Sequence, residues 1–124
     1  MKSDSTKNTL IKSFRCAFEG LRFLSCERNF RIHILIAALV VIAGFSFQIG
    51  RIEWICLLLI IAIVLTLEAV NSGIERICDI ISLKYDKRIK IVKDIAAGAV
   101  LIAAIIAVII GCLIFLPYIY TCLL

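Results

Sequence analysis

Three long apolar runs dominate the sequence and decide the solvent in which it can fold. They cover about residues 32–49, 52–74 and 95–116, and each approaches the ~20 residues with which a helix crosses a bilayer core. Apolar residues make up 63% of the chain, against about 45–50% in soluble domains. We therefore predict an all-α integral membrane protein with three transmembrane helices, forming one domain over residues 1–124. Soluble Rossmann and barrel enzymes are excluded.

A shorter amphipathic segment precedes the first run, over about residues 9–26. Leu10, Phe14 and Phe18 recur there at helical spacing, whereas Lys12 and Arg15 fall on the other face. This pattern predicts an N-terminal amphipathic helix on the membrane surface, although a helix that only packs against the spans has the same periodicity. Residues 1–8 are rich in Ser, Lys and Asp and offer no apolar face to bury, so we expect regular structure to begin after them.

The basic residues predict how the chain crosses the membrane. Seven Lys and Arg residues precede the first span, one follows it, six separate the second and third spans, and none follows the third. The positive-inside rule then puts the N-terminus in the cytoplasm and the C-terminus outside. Trp54, Tyr118 and Tyr120 fall at the predicted outer interface, where aromatic residues are enriched.

Composition excludes several classes of functional site. The net charge of +5 comes from residues that flank the spans, so it does not indicate nucleic acid. The six cysteines form no Cys-x-x-Cys pair and the chain has one histidine, which argues against zinc and favours free thiols. No glycine precedes a lysine, which excludes a P-loop.

Polar residues at the end of the second span form a stripe on one helix face. Glu68, Asn71, Glu75 and Asp79 lie at positions i, i+3, i+7 and i+11, within about 80° of one another around a helix. Three carboxylates on one stripe repel each other unless a cation lies among them. The alternative is an inter-helix salt bridge or a solvated helix end.

Two further charged motifs lie at the same predicted interface. Glu27 precedes the first span and Lys93-Asp94 precedes the third. Each has an ordinary explanation: a surface ion pair for Glu27, a snorkelling side chain for Lys93 and a helix N-cap for Asp94. Their shared position on the cytoplasmic side makes them candidates for the same site.

The run EAVNSGIERICD resembles the signature of the prokaryotic diacylglycerol kinase family, which are small integral membrane lipid kinases. Glu27, Tyr85 and Lys93-Asp94 also match the family pattern. The run ERNFRIH is similar to the Gram-positive branch, whose members are undecaprenol kinases. Enterobacterial diacylglycerol kinases typically carry Glu at the position of His33.

The resemblance implies a homotrimeric bundle in the bacterial cytoplasmic membrane, with active sites shared between protomers. It implies ATP as co-substrate, Mg²⁺ as cofactor and Glu68 as the base that acts on the lipid hydroxyl. Glu27 and Glu75 would bind magnesium and border ATP. The other implied ATP contacts are Cys16, Lys84, Tyr85, Asp86, Lys93 and Asp94. The implied lipid contacts are Phe30, Arg31, His33 and Glu68, with Asn71 and Asp79 in support.

Two positions depart from the family pattern. Gly73 replaces the usual Ala or Ser, and Cys16 stands where many members have an aromatic residue beside the nucleotide. The expected reaction is phosphorylation of undecaprenol to undecaprenyl phosphate, and the alternative is conversion of diacylglycerol to phosphatidic acid. Small proton-coupled transporters and holin-like structural proteins are more distant alternatives. A transporter of this kind would more typically have four spans and a glutamate deep within the first, and a holin-like protein gives no reason for an acidic stripe opposite Lys93-Asp94.

Overall fold

The structure, a computed structural model, describes residues 3–82 and 84–123, and this part of the chain forms four helices. They are α1 (Ser3–Leu24), α2 (Arg28–Phe47), α3 (Arg51–Ile81) and α4 (Lys87–Leu123). The helices α2, α3 and α4 are long and apolar enough to cross a membrane. The prediction of an all-helical chain with three candidate spans is thus confirmed.

Helix α1 begins before its predicted start. The prediction that residues 1–8 precede regular structure was wrong for residues 3–8, because α1 already begins at Ser3; residues 1 and 2 lie outside the described part. Once a helix is nucleated, each added residue gains a hydrogen bond, so a polar segment can extend it without burying anything. The helix ends at Leu24, two residues short of the predicted 26, where Cys26 N donates to Phe23 O.

The long helices extend beyond the apolar runs that predicted them. Helix α3 has 31 residues and so measures about 46 Å, which exceeds the ~30 Å of a bilayer core. Helix α4 begins at Lys87, before the predicted span at 95–116. Polar turns of both helices therefore project from the same end of the bundle, and these turns carry Glu75 and Asp79 of the acidic stripe and Lys93-Asp94.

Helices α3 and α4 form the main packing interface of the chain. Leu57, Ile60 and Val64 are buried on α3, and the small residues Ala96 and Ala103 are buried on α4. Small side chains let two helix backbones approach closely, which is how helices gain packing energy in lipid. Most of the remaining apolar side chains on the long helices are exposed, as suits a chain whose surroundings are apolar.

The other end of the bundle is closed by a tight turn and a group of aromatic residues. Gln48 ends α2 in the left-handed conformation (φ 53°), and Gly44 approaches Trp54 so closely that an added Cβ would lie 2.9 Å from Trp54 Cη2. Glu53 Oε2 accepts hydrogen bonds from the Gly50 amide and from the Tyr118 hydroxyl, both at 2.6 Å. These bonds tie the α2–α3 turn to α4.

Candidate active site

The acidic stripe lies on one uninterrupted stretch of α3, as the sequence spacing predicted. Glu68 and Asn71 are 3% and 5% exposed, whereas Glu75 and Asp79 are exposed at the polar end of the helix. The stripe therefore runs from the buried interior of the bundle to its surface. A substrate in the membrane and one in water could meet along it.

Glu68 is the innermost carboxylate of the stripe. Three ionisable side chains are close enough to interact with it electrostatically. They are Glu75, about two turns further along α3, Glu27 before α2, and His33 on α2. The fold thus brings Glu27 and Glu75 within electrostatic reach of Glu68. Within the described residues, no hydrogen bond or ion pair engages the carboxylate of Glu68, so its oxygens are available to a substrate.

Asn71 positions the carboxylate of Glu75, the next acidic residue of the stripe. Its Nδ2 donates a hydrogen bond of 3.1 Å to Glu75 Oε1. Its Oδ1 is buried and has no hydrogen-bond partner in the part of the chain that the structure describes. An unsatisfied buried oxygen costs about 1–3 kcal/mol, so this atom is directed at a position where a donor or a cation would be stabilised.

Arg76 is the residue of this site that the sequence analysis missed. Its Nη2 lies 2.5 Å from Glu27 Oε1, although the two residues are separated by 49 positions in the chain. Glu27 occupies the N-cap position of α2, yet its side chain makes no capping hydrogen bond. The signal available in the sequence was an arginine directly after Glu75, which the positive-inside count treated only as one basic charge.

Lys93 connects α4 to the stripe. Its Nζ donates to Asp79 Oδ1 at 2.6 Å, and the charge of Glu75 also acts on it. Asp94 points elsewhere and pairs with Lys90 at 2.5 Å. The alternative of Asp94 as an N-cap was wrong, because α4 begins at Lys87 and Asp94 lies in its second turn.

The connection between α3 and α4 supplies the actual helix cap. Asp86 Oδ1 accepts a hydrogen bond of 2.8 Å from the Arg88 amide, and this bond, with one from the Arg88 guanidinium, holds the pKa of Asp86 below its usual range. The side chains of Lys84 and Tyr85 are exposed, Tyr85 to 82%. These two residues are accessible to a ligand from the aqueous side.

The remaining predicted contacts are less closely grouped. Phe30 is buried in the packing of α2 and Arg31 is exposed. Cys16 is exposed on α1, and within the described residues no hydrogen bond links it to the stripe. The chain alone thus brings together Glu27, Glu68, Glu75 and His33, but it does not bring Cys16 to them.

An apolar groove leads away from His33 along the interior of the bundle. It has a volume of about 370 Å³, and its lining comes from α2, α3 and α4, between His33 at one end and Phe115 at the other. Apart from His33, Gly111 and Cys112, all lining residues are hydrocarbon or aromatic. The groove suits a hydrocarbon chain whose polar end lies near Glu68.

Comparison with known proteins identifies the family. The model of the prokaryotic diacylglycerol kinase family matches residues 15–115. The chain is 42% identical to the undecaprenol kinase of Bacillus subtilis over 89% of its own length and 90% of the relative's. This chain belongs to the prokaryotic diacylglycerol kinase family.

Two further relatives are named for a different lipid. The chain is 39% identical to a diacylglycerol kinase of Synechocystis over 87% of its length, which is 63% of that relative. It is 31% identical to the diacylglycerol kinase of Escherichia coli over 84% of its length and 86% of the relative's. The chain is a lipid kinase by membership of this family, and kinase activity implies ATP as co-substrate.

The carboxylate and amide oxygens near the stripe are candidate ligands for a divalent cation. Within residues 3–82 and 84–123, no group of three or more His, Cys, Asp or Glu side chains is arranged to hold a metal. Mg²⁺ in nucleotide sites typically uses one or two carboxylates and completes its coordination with phosphate and water. Glu27, Glu75 and the unsatisfied Oδ1 of Asn71 supply oxygen donors of that kind, so the residues fit an ion that arrives with a nucleotide.

Proposed function

We propose that the protein is an ATP- and Mg²⁺-dependent kinase that phosphorylates the hydroxyl of undecaprenol to give undecaprenyl phosphate. The observation that carries the proposal is the position of Glu68, which is buried and has no hydrogen-bond partner among the described residues. It lies one helical turn beyond Val64 and Leu65, which line the apolar groove together with His33. A long-chain alcohol in the groove presents its hydroxyl to this carboxylate.

In the proposed reaction Glu68 removes the proton of the lipid hydroxyl as the oxygen attacks the γ-phosphorus of ATP. The bond from that phosphorus to the bridging oxygen breaks, and ADP leaves. A correctly placed general base contributes about 10²–10⁴-fold to such a step. Lys93 stabilises the phosphate charge from the α4 side as a point charge.

Glu27 and Glu75 are the proposed magnesium ligands, and the ion would neutralise charge on the phosphate oxygens. Asn71 supports Glu75 through its hydrogen bond, and Asp79 holds Lys93 at the site. We assign nucleotide contacts to the exposed residues Lys84 and Tyr85, to Asp86 and Asp94, and to Cys16 on α1.

The proposed assembly is a homotrimer with shared active sites. This arrangement would supply the contacts to Cys16 that one chain does not make, and it would cover part of the exposed apolar surface of α2 and α4. Mixing Glu68→Gln protomers with Cys16→Arg protomers, whose bulky charged side chain should block the nucleotide contact, tests it, because Cys16 is the proposed contact that one chain does not bring to the stripe. Activity regained on mixing supports shared sites, whereas two inactive proteins that stay inactive in mixed assemblies contradict them.

We further propose that α1 lies on the cytoplasmic surface of the bacterial inner membrane. Leu10, Phe14 and Phe18 are all more than half exposed in the isolated chain, which leaves an apolar face for lipid. Single-cysteine proteins test the topology in intact cells. A membrane-impermeant maleimide should label Cys122, near the C-terminus, and should leave Cys26 unlabelled.

Diacylglycerol is the second candidate substrate, because two of the relatives above are named for it. Thin-layer analysis with labelled ATP separates the candidates when both lipids are presented in the same detergent micelle at matched mole fraction. We expect label in undecaprenyl phosphate at a higher kcat/KM than in phosphatidic acid. The reverse order would assign the protein to diacylglycerol, and no label in either lipid would refute the kinase proposal.

A further inference from the structure

Arg76 lies at the centre of the site without a role in the reaction proposed above. Its guanidinium pairs with Glu27, and the two side chains are 56% and 38% exposed. Ion pairs this exposed contribute little to folding stability, because water screens the charges. The α2–α3 turn and helix packing already hold α2 against α3, so the pair adds little to an arrangement that other contacts determine.

The position of the pair matters more than its strength. Glu27 is one of the two carboxylates proposed to bind magnesium, and a guanidinium 2.5 Å from it occupies the carboxylate where the cation would bind. Magnesium and Arg76 therefore compete for one group. Arginine remains protonated at any physiological pH, so the competition is resolved only by moving the guanidinium to another anion.

We propose that Arg76, which pairs with Glu27, is a phosphate-binding residue whose guanidinium transfers to a phosphate group of the nucleotide when Mg²⁺ and ATP bind. This inference rests on the proposed function of Glu27 as a metal ligand. The exchange makes and breaks only noncovalent contacts. Glu27 has a cationic partner before and after the exchange, because magnesium replaces arginine there. The phosphate group of the nucleotide gains the arginine as its partner.

The surroundings of Arg76 leave room for this movement. Arg76 borders a cleft of about 350 Å³ between the C-terminal end of α1 and α3. Gly20 and Gly73 also line the cleft, and a Cβ added at either would meet nothing within 4 Å. The guanidinium fork also matches the geometry of two phosphate oxygens, which a lysine cannot reproduce.

Nucleotide binding tests the inference without relying on turnover. Calorimetric titration of the full-length protein in detergent with β,γ-methylene ATP and Mg²⁺ gives the dissociation constant. We expect Arg76→Ala to weaken binding about tenfold, or about 1.4 kcal/mol, and Arg76→Lys to recover part of the loss. Arg51→Ala is the matched control, because Arg51 is an exposed arginine at the opposite end of the same helix, and it should bind like the wild type.

Metal binding without nucleotide separates this role from a structural one. Mn²⁺ alone, followed by electron paramagnetic resonance, should bind more tightly to Arg76→Ala than to the wild type, because Glu27 is no longer covered. If Arg76 only held Glu27 in place, Arg76→Ala would weaken both Mn²⁺ and nucleotide binding, and the inference would be wrong. If Arg76→Ala does not assemble in detergent, Arg76→Gln carries the same pair of measurements.

The two proposals fail in different ways. A wild-type protein that phosphorylates a lipid alcohol, combined with an Arg76→Ala protein that binds the ATP analogue as tightly as wild type, overturns the role of Arg76 alone. A wild-type protein that phosphorylates neither undecaprenol nor diacylglycerol overturns the proposed function, and the inference that rests on it falls as well.

Discussion

The Asn71 side chain donates a hydrogen bond to Glu75, whereas Glu68, one turn earlier on the same face of α3, receives none from the described residues. A buried amide thus fixes the exposed carboxylate, while the buried carboxylate stays free. The two glutamates are suited to different tasks for this reason. Glu75 is held in one orientation, as a metal ligand requires, and Glu68 has lone pairs available for a proton.

Glu68→Gln should reduce kcat at least a hundredfold, because the amide cannot accept the proton and general bases contribute about 10²–10⁴-fold. Binding of the ATP analogue should remain close to wild type, since glutamine has nearly the same volume. Turnover measured with labelled ATP and binding measured by calorimetry check the two parts. A variant that keeps a third of wild-type turnover would exclude Glu68 as the base.

Glu27→Ala and Glu75→Ala should each weaken Mg²⁺-dependent nucleotide binding. In the double variant the loss of binding free energy should be smaller than the sum of the two single losses, because both carboxylates are proposed to serve one ion. The three dissociation constants from titration with the ATP analogue provide the measurement. Fully additive losses would indicate two independent sites.

His33→Glu should narrow the preference for undecaprenol over diacylglycerol about tenfold in kcat/KM, or about 1.4 kcal/mol. His33 lines one end of the apolar groove, so a carboxylate there would add a polar group where the lipid hydroxyl enters. Competition between the two lipids in one micelle measures the ratio. An unchanged ratio would mean that His33 does not select the substrate.

Gly44→Ala should destabilise the turn between α2 and α3 by about 1–3 kcal/mol, the usual cost of inserting a methyl group into a packed site. The new Cβ would lie 2.9 Å from Trp54 Cη2, which is itself packed beside Phe45 with ring centroids 4.8 Å apart. Unfolding in mixed detergent micelles measures the change. Gly111→Ala is the matched control, because its Cβ would meet nothing within 4 Å, and it should unfold no earlier than wild type.

Local patterns in the sequence predicted the elements of the fold and the helix face that carries the acids. Apolar runs of sufficient length predicted the three long helices, because hydrophobicity and helix length are properties of adjacent residues. The 3.6-residue period likewise predicted that Glu68, Asn71 and Glu75 share a face, and α3 is continuous through all of them.

Helix ends were predicted less well, because they depend on backbone hydrogen bonds as well as on hydrophobicity. The predicted third span began at the apolar run, but Asp86 caps α4 several residues earlier, through a hydrogen bond to the Arg88 amide. The polar first turns of α4 are consequently helical. This places Lys93 on the side of the helix that meets Asp79.

The sequence by itself thus determined that the chain folds in a membrane, how many long helices it has and which helix face carries the acids. Each of these properties depends on residues that are close together along the chain. Tertiary structure alone decided which polar side chains pair: Glu27 with Arg76 and Asp79 with Lys93 as ion pairs, and Glu53 with the Tyr118 hydroxyl as a hydrogen bond. These partners are 49, 14 and 65 positions apart. Because a charge attracts any opposite charge within reach, only the packing of the helices selects one partner from fourteen basic residues and nine acidic ones.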